Sequence, residues 1–152
     1  MKVIGNLTKD AIIRAAVSEG LTVTQVLGSE TSFESSGRCD SVDIVYDSNA
    51  QKVVIAYRDN SNSSYGTAIV GTVSGTSISF GSPAVFATDV AHISIAYDTN
   101  AQKNVISYQH GGNSDYGTAI VGTVSGTSIS YGSAAVYENS AVMFTETTYD
   151  ST

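Results

Sequence analysis

Short stretches in which apolar side chains occupy every second position recur along the chain, separated by turns rich in Gly, Ser and Asn. In VDIVYD (42–47), for example, Val42, Ile44 and Tyr46 form such a series. Three further runs follow it: KVVIAY (52–57), YGTAIVGTV (65–73) and TSISFGSPAVF (76–86). The pattern predicts four short strands, named runs a to d in this order, joined as an antiparallel meander.

The whole four-strand pattern is then repeated. Residues 46–85 and 97–136 are the same forty-residue passage, offset by 51 and differing at ten positions. Runs a to d return at 93–98, 103–108, 116–124 and 127–137. Four strands in a fixed period of about 50 residues is the content of one β-propeller blade. We therefore expect an all-β, propeller-type repeat fold with four-stranded antiparallel blades.

Both ends of the chain fit the same frame. Residues 2–7 match run b, 11–20 match run c with its turn, 21–33 match run d, and 140–152 match run a with one extra residue. Gly28–Ser29 then corresponds to Gly81–Ser82. The predicted organisation is one repeat domain of about three blade equivalents: a partial blade at 1–40, blades at 41–89 and 90–139, and strand a of a further blade at 140–152. Alternatively, residues 9–19 form a short amphipathic helix with Thr8 as its N-cap, and the N-terminal segment is an attachment arm.

The two end segments have complementary deficits. The N-terminal segment lacks a run a, and the C-terminal segment is a run a without its partner. Three blades are fewer than the usual four to eight of a closed propeller. We therefore expect strand exchange between chains, most simply in a two-fold homodimer of six blades. In a longer chain, the next repeat would supply the missing strands instead.

Composition and charge exclude several classes of partner. The formal net charge is −7, and the seven Lys and Arg residues are spread thinly, so a nucleic-acid partner is not expected. Cys39 is the only cysteine, which precludes an intrachain disulfide, and it is interpreted as a small buried or neutral thiol. Asp10 and Arg14 interrupt any signal-peptide core, and no run approaches the roughly 18 apolar residues of a membrane span. Neither a signal peptide nor membrane insertion is predicted.

The repeat phrases resemble a known group of proteins. YDSNAQKVVIAYRD, YGTAIVGTVSGTSISFGS and the opening GNLTKDAIIRAA look like segments of tandem-repeat structural proteins of marine tailed bacteriophages, chiefly fibre or tail-associated proteins. The resemblance implies a virion component with β-propeller-like repeats. The expected location is the virion, after synthesis in the host cytoplasm. The expected partners are a second copy of the chain and other virion proteins, and the alternative to these is a host-surface glycan. It implies no catalytic residue. Members of this group have more copies of the repeat than are present in this chain.

The residues that carry chemistry elsewhere form no recognisable motif in this sequence. His92 and His110 replace Ser41 and Asp59 of the other repeat, so the scaffold does not require imidazole there. No nucleophile elbow, HExxH or CxxC pattern is present, and no catalytic residue, metal ligand or cofactor is predicted. Candidates for a glycosidase carboxylate pair are Asp43, Asp47, Asp59, Asp89, Asp98 and Asp115.

Two of these carboxylates have a simpler interpretation. Asp47 and Asp98 directly precede the SN and TN turns, where an Asx side chain bonds the backbone. A Ca²⁺ site at these turns is the alternative, but too few oxygen ligands are evident for it. The repeated tyrosines Tyr46 and Tyr97 are interpreted as packing between blades, although aromatic faces also stack on sugars.

The substitutions between the two repeats are concentrated in the b-to-c and d-to-a loops, which emerge at one end of a meander. Loops on a rigid scaffold commonly carry binding. The predicted ligand- or partner-binding face comprises Arg38, Asp40, Arg58, Asp59, Asn60, Asp89, His92, Gln109, His110 and Asp115. Drift in solvated loops is the alternative. The expected function is that of a non-enzymatic virion structural or attachment protein; a lectin-like glycan-binding propeller is the first alternative and a glycoside hydrolase the second.

Overall fold

The structure, a computed structural model, describes residues 27–150. Two five-stranded antiparallel sheets, one for each repeat, make up this part of the chain. The first sheet comprises β1 (Cys39–Asp47), β2 (Lys52–Asp59), β3 (Tyr65–Ser74), β4 (Ser77–Phe80) and β5 (Ala84–Ala87). The second comprises β6 (Val90–Asp98), β7 (Lys103–His110), β8 (Tyr116–Ser125), β9 (Ser128–Tyr131) and β10 (Ala135–Ala141), with a 3₁₀ turn at Gly111–Asn113. Within 27–150 there is no helix that could span a membrane.

The strand order confirms the predicted meanders. Neighbours β1–β2–β3 and β6–β7–β8 are antiparallel, and they contain runs a, b and c of the two repeats. The all-β prediction is therefore confirmed. The two sheets do not close into a barrel or a propeller ring, so the propeller remains a proposal.

Run d is not one strand, as the sequence pattern predicted, but two. Both β4 and β5 pair with β3, and β9 and β10 both pair with β8. Three residues separate Phe80 from Ala84, whereas two separate their partners Gly71 and Ala68. The extra residue breaks the ladder, as in a β-bulge. Because Ala134 replaces Pro83 in the second repeat and the break persists, proline is not its cause.

The turns between strands use the residues that tight turns require. Gly75 and Gly126 have φ of 58° and 61° in the two c-to-d hairpins, where other residues are strained. The predicted Asx turns are confirmed. Asp47 Oδ1 accepts a hydrogen bond from Ala50 N (2.9 Å), and Asp98 Oδ1 accepts one from Ala101 N (2.9 Å).

The two sheets pack face to face, with β1 against β6. We call the face that the first sheet turns toward the second sheet its front face. The corresponding face of the second sheet, which points away from the first sheet, is also called its front face, and the opposite face of each sheet is its back face. The front face of the first sheet and the back face of the second share one core, to which Val54, Val70, Phe86, Ile95, Ile106 and Tyr108 contribute. Burying such side chains contributes about 1.5–3 kcal/mol each. This shared core fixes the spacing and alignment of the repeats.

Buried polar contacts set the register between the sheets. Asp43 Oδ2 accepts hydrogen bonds from Ile95 N (2.9 Å) and Ser94 Oγ (3.1 Å) across the interface. Asn104 Nδ2 donates to Asp47 Oδ2 at 2.9 Å. β1 and β6 are therefore aligned in the same direction, and corresponding ends of the two sheets lie on the same side.

The N-terminal described segment repeats the packing of the fourth strand. Phe33 contacts Tyr57 and Phe80, with ring centroids 5.2 and 6.2 Å apart, on the back face of the first sheet. Phe86 contacts Tyr108 and Tyr131 of the second sheet at 5.3 and 5.9 Å. Residues 27–33 thus lie against the first sheet in the same way as run d of the first repeat lies against the second sheet. The predicted runs at 2–7 and 11–20, and the alternative helix at 9–19, lie outside the described residues.

The C-terminal segment, residues 142–150, lies on the front face of the second sheet. Thr147 N donates to Ser94 Oγ at 3.0 Å, and Thr145 Oγ1 donates to the carbonyl of His92. Phe144 has a φ of 65°, close to the 46° of Ser41 and the 50° of His92 at the start of the two run-a strands. The segment forms no strand ladder. It crosses the second sheet in the same way as β6 crosses the first sheet.

Candidate functional site

The predicted binding-face residues gather at one end of both sheets, here called the loop end. In the first sheet Cys39 pairs with Asp59, and in the second Val90 pairs with His110, so the start of run a lies beside the end of run b. The b-to-c and d-to-a loops emerge there. The opposite, turn end carries the a-to-b and c-to-d turns.

In the first sheet the charged loop residues surround one carboxylate. Asp40 lies 3.5 Å from Arg38 and 3.8 Å from Arg58, measured between charged atoms. Asn60 Nδ2 donates to Asp40 Oδ2 at 2.9 Å. Arg58 also donates to Ser64 Oγ at 2.9 Å. These contacts tie the start of β1 to the loop after β2.

Asp59 organises the b-to-c loop of the first sheet. Its Oδ1 accepts hydrogen bonds from the backbone N–H groups of Ser61 and Asn62, both at 3.0 Å, and from Ser61 Oγ. The second repeat has His110 at this position, whose ring lies 5.8 Å from that of Tyr108, and its loop forms the 3₁₀ turn instead. The two loops therefore differ in their local hydrogen bonds, although both end in two residues with positive φ, Ser63–Ser64 and Ser114–Asp115.

The varied residues of the second sheet contact the C-terminal segment. Gln109 Nε2 donates to the carbonyl of Val142, and the carbonyl of Asp115 accepts from Val142 N at 2.9 Å. The His92 ring lies 4.9 Å from that of Phe144. Five of the ten predicted residues thus lie in or beside the first sheet and five in or beside the second. Of the second five, His92, Gln109 and Asp115 contact residues 142–144, whereas the carbonyl of Asp89 accepts from Gly111 N in the adjacent loop.

A cleft of about 580 Å³ opens beside the first five. It is lined by Phe33, Glu34, Ser35, Ser36, Asp59, Ser61, Asn62, Thr67, Pro83 and Val85. Of the predicted residues only Asp59 lines it; Arg38, Asp40, Arg58 and Asn60 do not. The position of Glu34 and Ser36 in the variable d-to-a connection was the sequence signal that could have identified them.

Hydrogen bonds determine the electrostatics of this cleft. Ser36 donates from its backbone N–H and its hydroxyl to Glu34 Oε1, which lowers the pKa of the Glu34 carboxyl. Burial raises the pKa of Tyr57, whose hydroxyl donates to Glu34 Oε2 at 3.4 Å. The cleft therefore presents an ionised Glu34 at neutral pH, and the buried, neutral phenol of Tyr57 supports this carboxylate from behind the cleft.

The arrangement suits recognition better than proton transfer. A glycosidase general acid needs a carboxyl with a raised pKa, and that of Glu34 is lowered. Asp59 Oδ1 is engaged by its own loop. No cluster of three or more potential metal-binding side chains occurs among residues 27–150. The cleft offers hydroxyl, amide and carboxylate groups as hydrogen-bonding partners.

Comparison with known proteins gives no match: no family model, curated protein or solved structure is significantly similar to the chain.

Proposed function

We propose that this chain is a non-enzymatic structural or attachment protein of a tailed-bacteriophage particle, fibre or tail-associated. The proposal rests on the resemblance of its repeat phrases and on one structural observation. The two repeats share their strand registers and tight turns, whereas their b-to-c loops at the loop end differ in sequence and in local hydrogen bonds. A constant scaffold that displays variable loops is the arrangement expected of an attachment protein.

In this proposal each sheet is one propeller blade. The four-strand meander, with run d broken into two strands, supports it. So does the packing of β1 against β6, since the first strands of adjacent blades lie nearest the axis of a propeller. The front-to-back stacking of two successive repeats supports it as well.

Purified phage particles test the proposed role. The protein should co-sediment with intact particles through a density gradient, in a fixed ratio to the major capsid protein. The ratio should survive a wash at high salt, which removes loosely adsorbed protein. Recovery of the protein only from the particle-free fractions would refute the virion assignment.

A second candidate function is glycan binding in the cleft beside Asp59. It is favoured by the concentration of hydroxyl, amide and carboxylate groups against the ring of Phe33. We predict that Asp59→Ala, which frees the loop that forms one wall, weakens binding to a host-surface glycan at least tenfold. Asp98→Ala, at the turn end, should not weaken it.

A glycan array followed by titration of the best ligand would measure this. Equal loss with both variants would place the ligand elsewhere. The same ligands offered as chromogenic glycosides should release no chromophore. Release that Glu34→Gln or Asp59→Asn abolishes would establish hydrolysis and overturn the non-enzymatic proposal.

A further inference from the structure

The front face of the second sheet is open where that of the first is covered. Tyr137 occupies the place of Phe86, and each ring lies over a glycine of its own sheet, Gly117 or Gly66. Phe86 is 8% exposed because the second sheet covers it, whereas Tyr137 is 56% exposed. The second sheet therefore presents the surface that receives a further sheet of the same kind.

The back face of the first sheet is open in the complementary way. Val42, Ile44 and Tyr46 are exposed, while their counterparts Ile93, Ile95 and Tyr97 are buried against the first sheet. Ile44 is 56% exposed and Ile95 only 5%. Among the described residues, no strand covers the back face of β1 in the way that β1 covers the back face of β6.

Each open face already carries part of the layer that would cover it. Residues 142–150 lie on the front face of the second sheet along the path of a run a. Residues 27–33 lie on the back face of the first sheet in the place of a run d. These two parts are different strands of one blade. Because they lie on opposite outer faces of the stack, one chain cannot bring them into a single sheet.

We propose that two copies of this chain assemble through these complementary faces. In each junction, residues 142–150 of one copy pack on the exposed Val42, Ile44 and Tyr46 of the other, and residues 27–33 of the second copy pack on the front face of the second sheet of the first copy. The two segments then lie in one layer, between the second sheet of one copy and the first sheet of the other. Two such junctions, with four sheets and two shared layers, close a ring of six layers, within the usual range for propellers.

Specific contacts follow from the repeat. Tyr137 packs on Leu27 of the second copy, as Phe86 packs on Tyr131 and Phe33 on Phe80. Leu27 is 77% exposed in the single chain. Glu146, which corresponds to Asp43, accepts a hydrogen bond from the backbone N–H of Ile44 of the second copy, as Asp43 accepts one from Ile95. In the single chain this N–H donates to Asp43 Oδ1 at 2.8 Å, so the contact with Glu146 replaces or shares that bond.

The mass of the full chain in solution tests the proposal. Sedimentation velocity should give a species of twice the 15.8 kDa chain mass that dissociates on dilution. Ile44→Asp damages only the back face and Tyr137→Asp only the front face. Both side chains are exposed in the single chain, so each variant should keep its β-sheet circular dichroism and become monomeric.

Mixing the two variants distinguishes this assembly from any other dimer. The front face of Ile44→Asp and the back face of Tyr137→Asp are both intact, so the mixture should regain a heterodimer through one junction. Two-fold contact between identical faces predicts no such rescue. A wild-type chain that is monomeric at micromolar concentration, or variants that dimerise unchanged, would overturn the proposal. So would a mixture that stays monomeric.

Discussion

At the scale of single residues, the same side chain does different work in the two repeats. Asp47 and Asp98 both accept a backbone hydrogen bond that closes the turn after run a. Asp47 is also buried between the sheets, where its second oxygen accepts from Asn104. The residue equivalent to Asn104 in the first repeat is Val53. This polar contact therefore belongs to the interface between the sheets and not to the turn.

This difference predicts unequal costs for one substitution. Asp98→Ala removes two solvent-exposed hydrogen bonds, from Asn100 N and Ala101 N, and should lower the free energy of unfolding by about 1 kcal/mol. Asp47→Ala leaves the Asn104 amide buried without its acceptor and should cost about 3 kcal/mol. Urea unfolding followed by circular dichroism measures both. Equal losses would show that the contact with Asn104 contributes nothing to stability.

At the scale of strands, periodicity predicts most of what the structure contains. Runs a, b and c are found where alternation and turn residues place them, because each has one face on the shared core. The break in run d was missed, since an extra residue in a ladder is a property of pairing and leaves no mark on the alternation. The cleft was only partly predicted. The comparison of repeats identified Asp59, but which loop residues face one another depends on how the segment 33–36 crosses the sheet.

The contacts of the C-terminal segment could not be anticipated either. Gln109 and His92 were identified as variable loop residues, and the structure shows them against Val142 and Phe144. Comparison of the two repeats reveals which residues have changed. It does not reveal whether the change serves a ligand or a neighbouring segment of the same chain.

At the scale of the whole molecule, stacking depends on close backbone approach between successive sheets. A Cβ on Gly81 would overlap the carbonyl oxygen of Thr127 in the second sheet, and a Cβ on Gly28 would overlap that of Thr76 in the first. The same approach therefore occurs at two successive layers. Gly132 is the counterpart of Gly81 one repeat later, and the nearest atom to its Cβ would be Val121 O at 3.9 Å. Its surroundings are open because no sheet covers that face among the described residues.

Alanine at these two glycines should separate folding of the chain from assembly. Gly81→Ala forces the two sheets apart and should lower the free energy of unfolding by about 3 kcal/mol, the upper part of the range for overpacking. Gly132→Ala should leave the unfolding of the dissociated chain within about 0.5 kcal/mol of wild type. In the proposed dimer, however, the face that carries Gly132 receives the second copy, as the face that carries Gly81 receives the second sheet. We therefore expect Gly132→Ala to weaken dimerisation at least tenfold while the chain remains folded, measured by sedimentation across a dilution series. If Gly132→Ala dimerises as tightly as wild type, the second copy does not approach the front face of the second sheet as the proposal requires.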